Sequence, residues 1–591
     1  MCGIVGYIGN KQAISVLIPG LERLEYRGYD SAGVCVHSGK TLQVKKAKGR
    51  LENLKEMLKV TQMPGILGIG HTRWATHGEP TDRNSHPHLS CSGRIALVHN
   101  GIIENEVQLR AGLIENGFQF SSETDTEVVA NLIEYHYRVG GDLVQAVLNA
   151  VRQLEGSFAL GILSEGLPDT LIAVKKDSPL MVGLGEQETM IASDVTALLP
   201  YTQKVVDLED RELAIMTPMG VCYMDFHGRS ISKQPGRIGW QPEFAQRDGY
   251  NHFMLKEIFQ QPNAVRDTIR AGLLQWKQKP EKIWFVACGS AYHVALLGQY
   301  TIRQYCRIPS EAMIASEFRY SDSVLRRQEL VILISQSGET ADTIGALKKA
   351  KEKGCETWAM VNVVGCTLSK LADRVVYSNA GPEIAVATTK AFSAQLAQLW
   401  MLTASILQED HKLQQQIFAL PELIQNMLAG EMVERCRSLA KRFKNANSVY
   451  YIGRNTDYCI CLEGSLKLKE VAYLHCEAYP AGELKHGPIA MIQPGTLVVA
   501  LVTIEELAGK TISNIREVQS RGAEVLCIVR ESLCEKLNGL TAHMIMIPDT
   551  HPMLQPSLSV LPLQVFAYYV AVGRGCDVDK PRNLAKSVTV E

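Results

Sequence analysis

Cys2 becomes the first residue once Met1 is removed, which puts a thiol and a free α-amine on the same residue. That amine, with a reference pKa of about 7.7–8.0, can take the thiol proton directly or through one water, so no separate catalytic histidine is needed. The alternative is an ordinary buried small hydrophobe. Other segments supply what a nucleophile would need. The run His71-Thr72-Arg73-Trp74-Ala75-Thr76-His77-Gly78 ends a predicted strand with a guanidinium, two imidazoles and hydroxyls. Arg73 can grip a carboxylate through two parallel hydrogen bonds. His99-Asn100-Gly101 sets an amide side chain and a glycine N–H after another predicted strand, a pair of oxyanion donors, although Asn-Gly is also the commonest tight hairpin turn. Asp125, ahead of a predicted helix, is either an ammonium acceptor or an N-cap. Together these groups describe hydrolysis of the amide of free glutamine.

A second set lies downstream. The apolar run Leu330–Ile334 leads through Ser335-Gln336-Ser337-Gly338-Glu339-Thr340 into a helix expected to begin near Ala341. Hydroxyls, backbone N–H groups and a helix N-terminus make a phosphate cradle; the alternative is a capped loop. With no Lys or Arg in the loop, a sugar monophosphate suits it better than a nucleoside triphosphate. Neither GxxxxGK-S/T nor GxGxxG is present, so ATP and dinucleotides are not indicated. Glu463, Lys467 and Glu470 share one helical face. Their spacing alone favours a solvated salt-bridge ladder, whereas a carboxylate aimed into a sugar site could move a proton between C1 and C2. His486, in a loop-like stretch, could open a hexose ring. Lys586 reads as part of a frayed terminus, unless it docks in an apolar pocket and forms a Schiff base with a ketose.

These residues need scaffolds, and the chain has two grammars. Up to about residue 235, short β runs alternate with a few helices: Ile4–Ile8, then a helix with Leu17, Leu21 and Leu24 on one face, and strands at 32–36, 68–72, 95–99, 160–163 and 171–174. Layered antiparallel sheets with outer helices are expected. From about 250 the rhythm becomes strand, loop, long helix, which predicts parallel sheets covered on both faces. It restarts near Val449 at an offset of roughly 165 residues, predicting two similar α/β domains. The expected division is 2–235, a linker 236–249, 250–430, 431–576 and a tail 577–591. Length divided by about 150 residues per domain would give four units, but the pattern gives three and a tail. The 61 Lys and Arg nearly balance the 62 Asp and Glu, leaving a formal charge of −1 and no whole-chain field for nucleic acid or an acidic membrane surface. The 15 cysteines contain no CxxC, so free thiols and no structural zinc site are expected. The polar groups in Ala391–Gln408 and Pro562 in Val560–Val572 argue against membrane spans, and the N-terminus lacks a signal pattern. A cytoplasmic protein is expected.

Cys2-Gly3-Ile4-Val5-Gly6, Arg27-Gly28-Tyr29-Asp30-Ser31, His71–Pro80 and His99-Asn100-Gly101 resemble the class II glutamine amidotransferases. Both later domains resemble sugar isomerase (SIS) domains, and only the first carries an SxSGxT loop. The resemblance implies an N-terminal-nucleophile hydrolase with an αββα sandwich, followed by two SIS-type doubly wound parallel sheets. It implies Cys2 as nucleophile, Asn100 and Gly101 as oxyanion hole, Arg73, Thr76, His77 and Asp125 at glutamine, and Trp74 as gate of an ammonia channel. Segments Gly464–Glu470, Ala481–Pro488 and the tail resemble the members that aminate fructose 6-phosphate. They imply Lys586 as Schiff-base lysine, Glu470 as isomerising acid/base with Lys467 beside it, and His486 as ring opener, donated by the other subunit of a homodimer. Ser335, Gln336, Ser337 and Thr340 are implied at phosphate, and Ser290, Val386 and Thr388 at the sugar. The substrate's own carbonyl accepts the nitrogen, so no metal or pyridoxal phosphate is expected. Cys288-Gly289-Ser290-Ala291 departs from the family's usual Cys-Gly-Thr-Ser and loses a hydroxyl at 291. Thr388-Thr389-Lys390, in place of Ser-Thr-Lys, keeps one. Three other readings fit less well. Amidophosphoribosyltransferase needs a paired-acid motif, for which Val205–Asp210 lacks the continuation; asparagine synthetase needs a Ser-Gly-Gly-type loop. A non-catalytic SIS regulator leaves Cys2 and Lys586 unexplained.

Overall fold

The computed structural model describes residues 2–25, 28–74, 78–237, 247–272, 276, 279–321, 325–407 and 411–589. It divides into two compact units, Met1–Gln246 with Ser587–Glu591, and Arg247–Lys586.

Alternation with period two builds the first unit. In strand Gly3–Ile8, Ile4 and Ile8 face a core shared with Ile69, Val98, Ala159 and Leu163, while Val5 and Tyr7 face the helix side with Leu17 and Leu21. An eight-stranded and a seven-stranded antiparallel sheet therefore stack over one apolar layer. Helices Ile14–Leu24 and Leu51–Val60 cover one outer face, and Asp125–Gly140 and Leu143–Val151 the other. This is the expected αββα sandwich. The expected linker begins later than 236, because Gly236 and Arg237 pair with Val205 and Lys204 at the edge of the larger sheet.

The second unit holds two five-stranded parallel sheets of one topology. Strands Ile283–Ala287, Ser310–Ile314, Leu330–Ser335, Glu356–Val361 and Arg374–Tyr377 lie in spatial order 2-1-3-4-5. Ser448–Gly453, His475–Pro480, Leu497–Val502, Glu524–Arg530 and His543–Ile547 repeat that order. Each sheet's switch point lies between its first and third strands, where ligands bind in such folds. Buried residues from Met254 to Val578 form one continuous apolar core spanning both sheets. The helix Lys390–Leu407, buried from Lys390 to Ser405, crosses it with Ser393, Gln395, Gln398 and Ser405 all inside. Among the described residues one helix, Gln555–Gly573, is long and apolar enough to cross a membrane, but most of it is buried in this core.

Candidate active site

In the first unit, the central strand Gly3–Ile8 pairs with Leu67–Arg73, Gly3 opposite Thr72, so Cys2 meets the residues that end the neighbouring strand. The Trp74 N–H reaches Cys2 Sγ at 3.2 Å, and the thiol lies 3.5 Å from Trp74 O. Burial pushes the thiol pKa up, opposed in part by the Trp74 N–H and the Arg73 charge. Arg73 is buried and donates to Gly78 O at 3.3 Å and Glu79 O at 3.4 Å. Trp74 meets Tyr29 edge to face, with ring centroids 6.0 Å apart.

Asn100 and Gly101 are not a hairpin turn. They lie inside strand Ile95–Ile103, paired with Ala159 and Phe158. Asn100 Nδ2 donates to Cys2 O at 3.0 Å. Gly101 has φ +129°, and a Cβ there would lie 1.9 Å from Ser157 O, so only glycine fits. Asp125 is not the N-cap. Thr124 caps the helix by accepting from Glu127 N–H, and Asp125 is its first residue, buried and accepting from Ile103 N–H at 3.0 Å. Cys2, Arg73 and Trp74 thus lie at two strand ends, Asn100 and Gly101 within a strand and Asp125 at a helix start, whereas Thr76 and His77 lie outside the described residues.

In the second unit the Ser335–Thr340 loop follows its strand and the helix begins at Ala341, as the sequence predicts. Ser335 Oγ accepts from Gly338 N–H at 3.1 Å and lies 3.2 Å from Thr340 Oγ1; Ser337 Oγ accepts from Glu339 N–H at 3.2 Å. Gln336 O accepts from Asn362 N–H at 3.2 Å. Glu339 turns away from the cradle and accepts from Thr367 N–H at 2.7 Å and Thr367 Oγ1 at 2.8 Å, which ties the loop to the next crossover.

Glu463, Lys467 and Glu470 are not a solvated ladder. Glu463 and Lys467 are fully buried because helix Gly289–Thr301 covers them: Ser290 Oγ donates to Glu463 at 3.0 Å, and His293 Nδ1 lies 2.7 Å from its other oxygen. Lys467 Nζ lies 3.5 Å from Glu463 and 2.5 Å from Glu470. Burial alone would raise Glu463, but Lys467 and His293 hold it below the usual carboxylate range. Glu470 is raised, by burial, against the pull of Lys467. The two carboxylates around Lys467 are thus shifted in opposite directions.

Lys586 is neither frayed nor in an apolar pocket. Its Nζ pairs with the buried carboxylate of Glu383 and donates to Ala385 O at 2.8 Å. Glu383 also accepts from Thr388 Oγ1 at 2.5 Å and from the N–H groups of Thr389 and Ala391. Burial would raise its pKa, yet Lys586 brings it down to about 2. Glu257 accepts from the N–H groups of Ile384 at 2.5 Å and Ala385 at 3.3 Å; burial and the Glu383 charge push it up to about 8. Val386 N–H donates to Asp579 O in the tail, and the Asp579 carboxylate caps the N–H groups of Phe253 and Met254. The Glu383 charge also acts on Lys467, which links the two clusters. His486 stands apart, exposed at the end of the 3₁₀ segment Ala481–His486. Glu257, Glu383, His293 and Asp579 escaped the sequence reading. Glu383 left one signal, an acid directly before the apolar run Ile384–Ala387.

Sequence profiles match in the same order as these sites. The glutamine amidotransferase domain family matches residues 71–200, and the SIS domain family matches 277–405 and 442–574. The chain is thus a class of amidotransferase in which a glutamine-handling domain is joined to two SIS domains. A glutamine--fructose-6-phosphate aminotransferase (isomerizing) from Caldanaerobacter subterraneus subsp. tengcongensis is 50% identical over the full length of both chains, and one from Thermus thermophilus 44%. The solved C-terminal domain of glucosamine-fructose-6-phosphate aminotransferase from Francisella tularensis covers 57% of this chain and all of its own, at 36% identity and a TM-score of 0.55. The chain belongs to the family of glutamine--fructose-6-phosphate aminotransferases (isomerizing).

Proposed function

We propose that the chain converts fructose 6-phosphate and glutamine to glucosamine 6-phosphate and glutamate, the first step of amino sugar synthesis. The observation that carries this is one chain with a thiol beside an amide donor in its first unit, and a hydroxyl loop with a carboxylate-paired lysine in its second.

Cys2 attacks the glutamine side-chain amide, Asn100 Nδ2 and the Gly101 N–H hold the oxyanion, and ammonia leaves a thioester that water hydrolyses to glutamate. Arg73, with Thr76 and His77, holds the substrate's α-carboxylate end and Asp125 its ammonium. Ammonia passes Trp74 and stays inside the protein. Ser335, Gln336, Ser337 and Thr340 hold the phosphate, and Ser290, Val386 and Thr388 line the sugar. His486 opens the ring. The Lys586 amine condenses with the C2 ketone, releasing water, and ammonia displaces the lysine as an imine at C2. Glu470, its charge balanced by Lys467, then moves a proton from C1 to C2. The exposure of His486 supports its donation to a second copy in a homodimer, and the reading is of a cytoplasmic enzyme. The proposed division is a glutaminase to about 235, SIS domains over 250–430 and 431–576, and a catalytic tail; the family matches at 71–200, 277–405 and 442–574 lie within these bounds.

Incubating the purified protein with both substrates should yield glucosamine 6-phosphate; its absence sinks the reading. Cys2→Ala should abolish glutamine-dependent synthesis while leaving fructose 6-phosphate binding, measured by calorimetry, unchanged.

A further inference from the structure

A carboxamide is nearly symmetric in shape but not in chemistry, since one end donates and the other accepts. If the Asn100 amide turned over, it would point an oxygen at the oxyanion it is meant to stabilise. Something must hold its orientation, and the buried groups behind it do so. His71 Nε2 lies 2.9 Å from His99 O and 3.0 Å from Asn100 Oδ1. A backbone carbonyl can only accept, so the proton of the neutral imidazole is on Nε2. That N–H is shared with Asn100, whose nearer atom must then be its oxygen. At the amide's other end, Nδ2 donates to Cys2 O. Two acceptor-only carbonyls, one acting directly and one through His71, therefore demand the same orientation.

The imidazole is itself fixed. It is fully buried on strand Leu67–Arg73, and its Nδ1 has no partner among the described residues. Burial brings its pKa down to about 3, so it remains neutral at any working pH. His86 stacks on it with centroids 4.1 Å apart. His86 Nδ1 accepts from His99 N–H at 3.3 Å, which leaves its own proton on Nε2 for Thr126 Oγ1 at 3.2 Å. We propose that His71 is a positioning residue for glutamine hydrolysis, a neutral Nε2–H imidazole that locks the Asn100 amide with its N–H end toward the reacting carbonyl. The proposal rests on the reading of Asn100 as an oxyanion donor.

The test compares His71→Gln, which keeps a side-chain N–H, with His71→Met, which has similar bulk and no donor. Glutamate release by the full chain is followed with fructose 6-phosphate present. His71→Met should lower kcat by ~10- to 100-fold, less than the ~10²–10³ of a deleted oxyanion donor, with KM for glutamine changed by under ~3-fold. His71→Gln should recover most of the loss, and His71→Met combined with Asn100→Ala should be no slower than Asn100→Ala alone. Equal rates for the Gln and Met variants, or losses that multiply with Asn100→Ala, overturn the proposal. Asn100→Ala at the wild-type rate overturns the oxyanion reading and the proposal with it. If His71→Met does not fold, ¹⁵N–¹H correlations of histidine-labelled wild type decide, with His71→Gln assigning the signal. An Nε2–H tautomer supports the proposal, and an Nδ1–H tautomer overturns it.

Discussion

The two parallel sheets of the second unit share strand order and differ at their switch points. In the first, the hydroxyls of Ser335, Ser337 and Thr340 bond, among the described residues, only within their own loop, which suits the proposed phosphate site. In the second, the matching loop shrinks to Thr503, whose N–H and Oγ1 both donate to Asp457, at 3.0 and 2.5 Å. Asp457 comes from the first turn of helix Thr456–Ala472 and is buried. The second sheet thus supplies its own anion where the first leaves room for the substrate's. A binding fold can lose its ligand by being filled from within while every strand stays in place. The first sheet also gains what the second lacks, the Glu383–Lys586 pair.

That contrast can be broken at several strengths. Lys586→Met should lower glucosamine 6-phosphate formation by ~10³-fold or more, and borohydride should no longer trap fructose 6-phosphate on the chain. Ser337→Ala with Thr340→Val should raise the KM for fructose 6-phosphate by ~10- to 100-fold, since hydrogen bonds to a charged group are worth roughly 1.5–3 kcal/mol. The mirror change, Thr503→Val, should leave that KM alone and lower stability by ~1–3 kcal/mol by stranding Asp457. An effect of Thr503→Val on KM would show that the second switch point serves the sugar after all.

A further measurement uses pH. Burial raises the Asp457 carboxyl from its ordinary value of 3.8 to about 6. Between those values the folded state holds a proton that the unfolded state has lost, so stability falls as pH rises from about 4 to 6. Asp457→Asn should not share this loss. In denaturant titrations, the wild type should lose about 2–3 kcal/mol relative to the variant across that interval. The smallest effect concerns the first turn of each domain. Gly289 has φ +55°, and Asn455 occupies the same turn at φ +54°, ψ −127°. Asparagine pays strain where glycine does not, so Asn455→Gly should stabilise by ~1 kcal/mol, read as a rise in Tm.

Local signals carried the sequence reading well. The phosphate loop, the parallel sheets and the sandwich could be read because hydroxyls, apolar runs and alternation are written in consecutive residues. What residue patterns alone leave open turns on distant partners. Spacing alone makes Glu463–Lys467–Glu470 look solvated, and only Ser290 and His293, some 170 residues earlier, turn that face inward. Lys586 looked frayed because Glu383 is 203 residues away. Asn100-Gly101 looked like a turn because the positive φ that glycine permits is here spent inside a strand, against Ser157.

The cap on Phe253–Phe259 has a consequence for how the protein is made. Phe253 and Met254 donate to Asp579, 325 residues after Met254. During synthesis the sheets can assemble while that helix start still lacks its carboxylate and the Glu383 pocket its lysine. The Phe253 helix start and the Glu383 carboxylate therefore complete their contacts only after both sheets have been made.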